Sequence, residues 1–313
     1  MQPVTANYLK GALFGLAAVS IWAGWSAMTR LAVTTSLDAW DIVALRFGIA
    51  GLLLSPILIR HGLALNRLGW LGLAGIIAGN GAPYALVAAE GLRFAPAYDG
   101  GALNPGMMPL FVALIAVITQ REQLSGARKL GLLLILVGAL VMIGWHTETE
   151  GTNWNYTRTF GDLLFLLASF LTAVFTVITR QVKLDPIHSV ALLSTGSLVI
   201  WLPIYLTISP THLFQTPIVD LVVQAIFQGI VVTIFSLVLY VRSVALLGAS
   251  DASAFGALVP ALTAFLAIPL LGEWPSHMGW GSIALISTGV YLTSGGPLPR
   301  GWHRSTRFPL VGR

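Results

Sequence analysis

"GALFGLAAVSIWAGWSAMTR" (residues 11–30) and "GDLLFLLASFLTAVFTVITR" (residues 161–180) stand 150 residues apart and align end to end. Gly11 meets Gly161, Leu13 meets Leu163, Ala18 meets Ala168, and Thr29-Arg30 meets Thr179-Arg180. A shift of 151 then pairs Pro109 with Pro260, Glu122 with Glu273 and Gly138 with Gly289. The offset is nearly constant and the pairs fall in matching segments. The chain is an internal duplication.

Both copies are too apolar for water. Of 313 residues, 56% are hydrophobic and only 9% charged, and mean hydropathy is +0.82. A soluble domain carries about a quarter charged residues. Runs of about 20 apolar residues, each enough to cross a bilayer, recur from end to end. Their richness in glycine, leucine and alanine predicts packed helices, because barrel strands alternate in short segments. The chain has no cysteine, which excludes disulfides and thiolate metal sites.

The pattern predicts an all-α polytopic membrane protein with ten transmembrane helices in two inverted five-helix repeats. The spans fall near 11–33, 40–59, 68–90, 97–119, 127–145, 160–180, 187–208, 218–241, 249–271 and 277–295. The first is too long for a signal peptide and lacks a small-residue cleavage site. The N-terminal repeat covers 1–145 and the C-terminal repeat 160–296. A periplasmic loop (146–159) joins them, and a basic cytoplasmic tail (297–313) follows.

Lysine and arginine set the orientation. Lys10, Arg60, Arg67, Arg121, Arg128, Lys129, Arg180, Lys183, Arg242, Arg300, Arg304, Arg307 and Arg313 lie on one side. Only Arg30, Arg93 and Arg158 lie on the other, and Arg46 sits inside the second span. Both termini are therefore expected in the cytoplasm. This bias accounts for the net charge of +5 without a nucleic-acid partner. Five spans per half make the halves opposite in orientation, an arrangement typical of transporters with a site near the membrane midplane.

Within the first span, Gly11, Gly15, Ala18, Trp22, Ser26 and Thr29 share one helical face, with Trp25 at its edge. Trp22 lies far from the interfacial belts where tryptophan usually anchors. Trp22 and Trp25 either fill gaps between helices or form a substrate wall to which Ser26 adds a hydroxyl. Arg30 reads as an interfacial side chain reaching outward. The third span carries "GNGAPY" (79–84), whose glycines and proline loosen the helix beside Asn80 and Tyr84. Freed backbone groups at membrane depth need protein or a watery cavity.

"YDGGALNPGMMP" (98–109) opens the fourth span with Tyr98, Asp99, Asn104 and Pro109, and "SDASAFGALVP" (250–260) is its counterpart. Interrupted segments at matching positions point to a binding site, whereas Asp99 and Asp251 read as helix N-caps. Pro109 and Pro260 are the candidate hinges. Phe175 and Thr176 are the opposite numbers of Trp25 and Ser26. Ser194, Thr195 and Ser197 can bond back to their own helix. Gln224 and Gln228 need a partner, either substrate or another helix. Arg46 is expected to pair with Asp41 or Glu90.

The ten-span duplication, the Trp-containing first helix and the two Pro-x12-Glu stretches (Pro109 with Glu122, Pro260 with Glu273) resemble the drug/metabolite transporter superfamily, in particular its EamA-type exporters. The resemblance covers about 10 to 295. The overall run looks closest to exporters of aromatic and other amino acids. It implies a bacterial inner-membrane exporter of amino acids, or similar small amphiphilic metabolites, working by alternating access. Spans 1–4 and 6–9 are expected around the cavity, with 5 and 10 outside. The substrate-binding candidates are Trp22, Trp25, Ser26, Asn80, Tyr84, Tyr98, Asn104, Phe175 and Gln228.

The acidic residue found midway along the first helix in the small multidrug pumps of that superfamily is absent here, where Trp22 stands. Facilitated export is therefore favoured, with proton antiport through Glu90, carrying other metabolites or drugs, as the alternative. All six histidines lie in loops, span ends or the tail, so no base stands beside Ser26 for an intramembrane protease. There is also no phosphate-gripping motif. The expectation is a non-enzyme without cofactor or metal, in contact with membrane lipid and acting as a monomer or weak dimer.

The native chain has no cysteine, so single-cysteine labelling reads topology directly. Cysteine at Asn153 is expected to react with an impermeant thiol reagent from outside the cell, and cysteine at Ser305 is not. The reverse pattern overturns the orientation.

Overall fold

The computed structural model describes residues 2–120, 124–144, 156–208, 212–213 and 215–295. The stretch 121–123 (with Glu122), most of the inter-repeat loop (145–155) and the tail from 296 onward lie outside the described residues. Ten helical segments follow one another: α1 (Gln2–Thr35), α2 (Ala39–His61), α3 (Leu65–Phe94), α4 (Ala97–Gln120) and α5 (Gly126–Gly144), then α6 (Tyr156–Val182), α7 (Pro186–Ile208), α8 (Ile218–Leu247), α9 (Ala249–Leu271) and α10 (His277–Thr293). No strand occurs among the described residues.

Nine of these helices are long and apolar enough to cross a membrane. The tenth, α10, has 17 residues. At 1.5 Å per residue it reaches about 26 Å, slightly less than a hydrocarbon core of about 30 Å.

The helices meet in a pattern that maps onto itself when the halves are exchanged. The N-terminal helix α1 packs on α8 and α9, as α6 packs on α3 and α4. Likewise α2 meets α7, α4 meets α9, and α5 meets α10. The larger core joins Trp25, Leu92, Ile135, Phe165 and Ile286; a second joins Phe47, Ile76, Leu192 and Trp201.

The α5–α10 seam is set by glycine. A Cβ on Gly289 would lie 2.5 Å from the Gly131 carbonyl oxygen, and one on Gly131 would lie 2.7 Å from that of Gly289. With no side chains between them, the two backbones touch, as small residues allow in membrane bundles. The opposite face of α5 exposes Leu133 and Leu140, seven residues apart, where lipid would cover them. This pair stands at the edge of the bundle.

Replacing Gly289 with alanine is expected to cost about 1–3 kcal/mol, since a methyl must be forced into a closed seam. Gly281 lies on the same helix with nothing within 4 Å of its added Cβ. Its alanine variant is expected to match or exceed wild-type stability, by up to about 1 kcal/mol. Thermal unfolding of the purified protein in detergent separates the two, and equal effects would mean that the seam is not tight.

Candidate functional site

The third helix breaks in mid-span. It runs helically to Asn80, and Gly81 leaves the helical region (φ −94°, ψ −146°) before a second segment starts at Ala82. Only glycine fits there, because a Cβ would lie 2.2 Å from the Ile77 carbonyl oxygen and 2.3 Å from Ser197 Oγ. Pro83 follows in the first turn, where its missing N–H costs nothing. The freed Ala82 N–H donates to Ser197 Oγ on α7 at 2.9 Å. Ser197 was expected to bond back to its own helix; it instead closes the gap in another. Thr195 likewise crosses to α2, donating to the Gly51 carbonyl at 3.1 Å.

The equivalent helix of the other half, α8, is disturbed too. Phe227–Phe235 is wound as a π-helix, and Thr233 Oγ1 donates to the Gln228 carbonyl at 2.8 Å. Such wide turns concentrate at functional sites. Here the π segment packs Gly229 against Ile49 of α2. Nothing in the apolar run announces this turn.

Between the two disturbed helices lies a polar and aromatic network. Trp25 Nε1 donates to Gln228 Oε1 at 2.9 Å, and the Trp25 ring stacks with Tyr84 at 6.5 Å between centroids. Asn104 Nδ2 donates to the Tyr84 hydroxyl at 3.0 Å. Gln228, fully buried, uses its other end to donate to Thr29 Oγ1 at 3.0 Å and Gln224 Oε1 at 3.2 Å. Gln224 in turn donates to the Met28 carbonyl at 3.1 Å. For both glutamines, then, the partner is another helix. Trp22 donates to Ser236 Oγ at 3.0 Å and packs against Tyr240.

Asn80 is half-buried, Ser26 is buried, and neither side chain hydrogen-bonds a described residue. Phe175 lies on Gly79, where it packs α6 against α3.

Ion pairs gather at the end of the bundle where α1, α3 and α9 finish. Arg30 Nε donates to Glu273 Oε1 at 2.9 Å, and Glu273 Oε2 accepts from Ala97 N at 2.7 Å. Arg30 also donates to the Leu92 carbonyl. Rather than reaching outward, Arg30 ties four elements together. Arg158 holds Asp99 through two bonds of 2.8 and 3.2 Å and donates to the Tyr98 hydroxyl at 3.1 Å. Asp99 is therefore an ion-pair partner, not the expected cap, and Tyr98 belongs to this cluster. The N-cap of α9 is Gly248, with Asp251 inside the first turn.

Asp41 accepts from the Tyr205 hydroxyl at 2.6 Å and forms a capping box with Asp38. Glu90 pairs with Arg93 at 3.1 Å. Neither carboxylate meets Arg46, contrary to expectation.

Two like halves of membrane-spanning helices, each with a disrupted helix at the equivalent position, define a two-repeat transporter architecture. The profile of the EamA-like transporter family matches residues 9–144 and 159–295. The chain belongs to that family and is a multi-pass membrane protein. An uncharacterized transporter of Clostridium kluyveri is 22% identical over 253 residues, covering 78% of this chain and 79% of its own length. A crystal structure of a protein 18% identical to this chain superposes with a TM-score of 0.61 over 90% of this chain and 94% of its own. That likeness concerns the fold alone.

Replacing Ser197 with alanine is expected to strand the Ala82 N–H and cost about 1–3 kcal/mol. Ser194, three residues earlier on α7, is buried with no hydrogen-bond partner among the described residues. Its alanine variant is expected to be neutral or slightly stabilising. Equal losses in thermal unfolding would show that Ser197 does not support the break.

Proposed function

We propose that this protein exports small amphiphilic metabolites, aromatic and other neutral amino acids foremost, across the bacterial inner membrane. The observation that carries this reading is the matched disruption of α3 at Gly81 and α8 at Phe227–Phe235, with the Trp25–Tyr84–Gln228 network between them. On this reading Trp22, Trp25, Ser26, Asn80 and Tyr84 meet the substrate. Gln228 and Asn104 hold Trp25 and Tyr84 in place, and Tyr98 and Phe175 stand behind them. The helices α5 and α10 support the bundle from outside. The protein acts as a monomer or weak dimer, without cofactor, metal or nucleic acid.

Transport follows alternating access. The fourth helix runs continuously through Pro105 and Pro109, whereas α9 tightens into a 3-10 turn at Phe255–Leu258 just before Pro260. Unlike backbones at equivalent prolines support a hinge role for Pro109 and Pro260, each half adopting in turn the bend of the other. The Arg30–Glu273 tie is the contact that opening at that end must release. Movement runs down the substrate gradient; were transport to follow a pH gradient, Glu90 would be the residue to examine.

The test is uptake of a panel of labelled amino acids by proteoliposomes, with and without a pH gradient. Alanine at Trp22, Asn80 or Tyr84 is expected to lower transport at least tenfold while yield and monodispersity stay unchanged. Alanine at Leu134 or Leu285 is expected to leave the rate intact. Equal losses at all five positions would reduce the site to general packing, and no transport of any amino acid would overturn the substrate class.

A further inference from the structure

Arg46 lies two turns into α2 and is 8% exposed. Its guanidinium carbon stands 5.8 Å from the centre of the Trp25 ring and 5.3 Å from that of Phe47. Its Nε is buried without a hydrogen-bond partner, and its guanidinium forms no ion pair with a described residue. The other arginines drawn into the bundle are all answered: Arg30 by Glu273 and Arg158 by Asp99. The two carboxylates expected to pair with it are engaged elsewhere, Asp41 with Tyr205 and Glu90 with Arg93.

A charge withdrawn from water without a counterion is costly, more so than a cation–π contact returns. Intramembrane ionisable groups that persist at such a cost mark substrate or ion paths. The guanidinium fork is shaped to receive a carboxylate through two parallel hydrogen bonds. Beside it is the Trp25 ring, which stacks in turn with Tyr84, and this pair suits an apolar or aromatic body. The half-buried Asn80 amide lies four residues before Tyr84, at the α3 break, and is bonded to no described residue.

We propose that Arg46 is the anion receptor of the transport site: the substrate is a compact amphiphile that presents a carboxylate to Arg46 and its apolar body to Trp25 and Tyr84. This rests on the export reading above and narrows it, since neither a cationic drug nor a neutral sugar supplies that group. The missing counterion arrives with the cargo.

The test is ligand-induced thermal stabilisation of the purified protein, which needs no transport. Four probes are compared: phenylalanine, 3-phenylpropionate, phenylalaninamide and chloride. Wild type is expected to be stabilised by the two carboxylates and not by the amide or chloride. In Arg46→Gln the carboxylate affinity is expected to fall about 10- to 100-fold, the loss of charged hydrogen bonds. Arg46→Lys is expected to retain part of it. Because the charge has no partner among the described residues, ligand-free Arg46→Gln is expected to unfold at or above the wild-type temperature; a structural arginine would give a lower one.

Stabilisation by 3-phenylpropionate alone, lost in Arg46→Gln, would keep the receptor and reject amino acids as cargo. Equal stabilisation by acid and amide, or unchanged affinity in Arg46→Gln, would overturn the receptor and leave the export reading standing. No shift with any carboxylate would overturn the inference as well.

Discussion

A backbone N–H released inside hydrocarbon has to find an acceptor within the protein, and the Ala82 N–H finds one in Ser197. The break in α3 rests on that bond. It allows α3 to stop at Gly81 and restart, and the restart carries Tyr84 to Trp25 and Asn104. Without an acceptor on α7 the break would leave a polar group bare in an apolar medium, and a continuous helix would be the better solution. Glycine and proline permit the interruption, but the serine makes it stable.

The same requirement shapes the seam between α1 and α8. A buried amide has two ends to satisfy, and Gln228 satisfies both on α1 and its own helix. It is thus a strut that fixes the orientation of Trp25. The equivalent seam between α6 and α3 is apolar: Phe175 lies on Gly79 and Ile178 on Gly75. Thr176, the counterpart of Ser26, bonds back to the Thr172 carbonyl at 2.8 Å. The halves share a scaffold, yet the polar contacts are concentrated in one of the two equivalent seams between them.

The scaffold was legible because hydrophobic run length and positional repetition are local properties of the chain. The ten helical segments and the correspondence between the halves could be read that way, while the outer place of spans 5 and 10 was what the family resemblance implied. The α3 break was signalled by "GNGAP", since glycine and proline interrupt helices by their own chemistry. The π turn of α8 was not, because its sequence is as apolar as a regular helix and its register is set by packing on α2. Partner choice was equally hidden. Asp99 as ion-pair partner of Arg158, Ser197 as acceptor for α3 and Arg46 without a carboxylate all depend on residues far away in sequence. Composition ranks such partners by proximity along the chain, and the fold need not respect that order.

Arg30 and Arg46 show what that freedom allows. Arg30 is tied to Glu273, with side chains 20% and 16% exposed. Both side chains keep some contact with solvent at the end of the bundle, so parting them does not strand a fully buried charge. Arg46, more deeply placed, has no such partner among the described residues to give up. A ligand carrying an anion to it relieves an existing cost and need not break an existing bond. On the export reading proposed above, binding energy is released at the middle of the bundle, while the contact to be loosened lies at its end. Coupling the two requires only that α1, which carries both Trp25 and Arg30, move as one rigid helix.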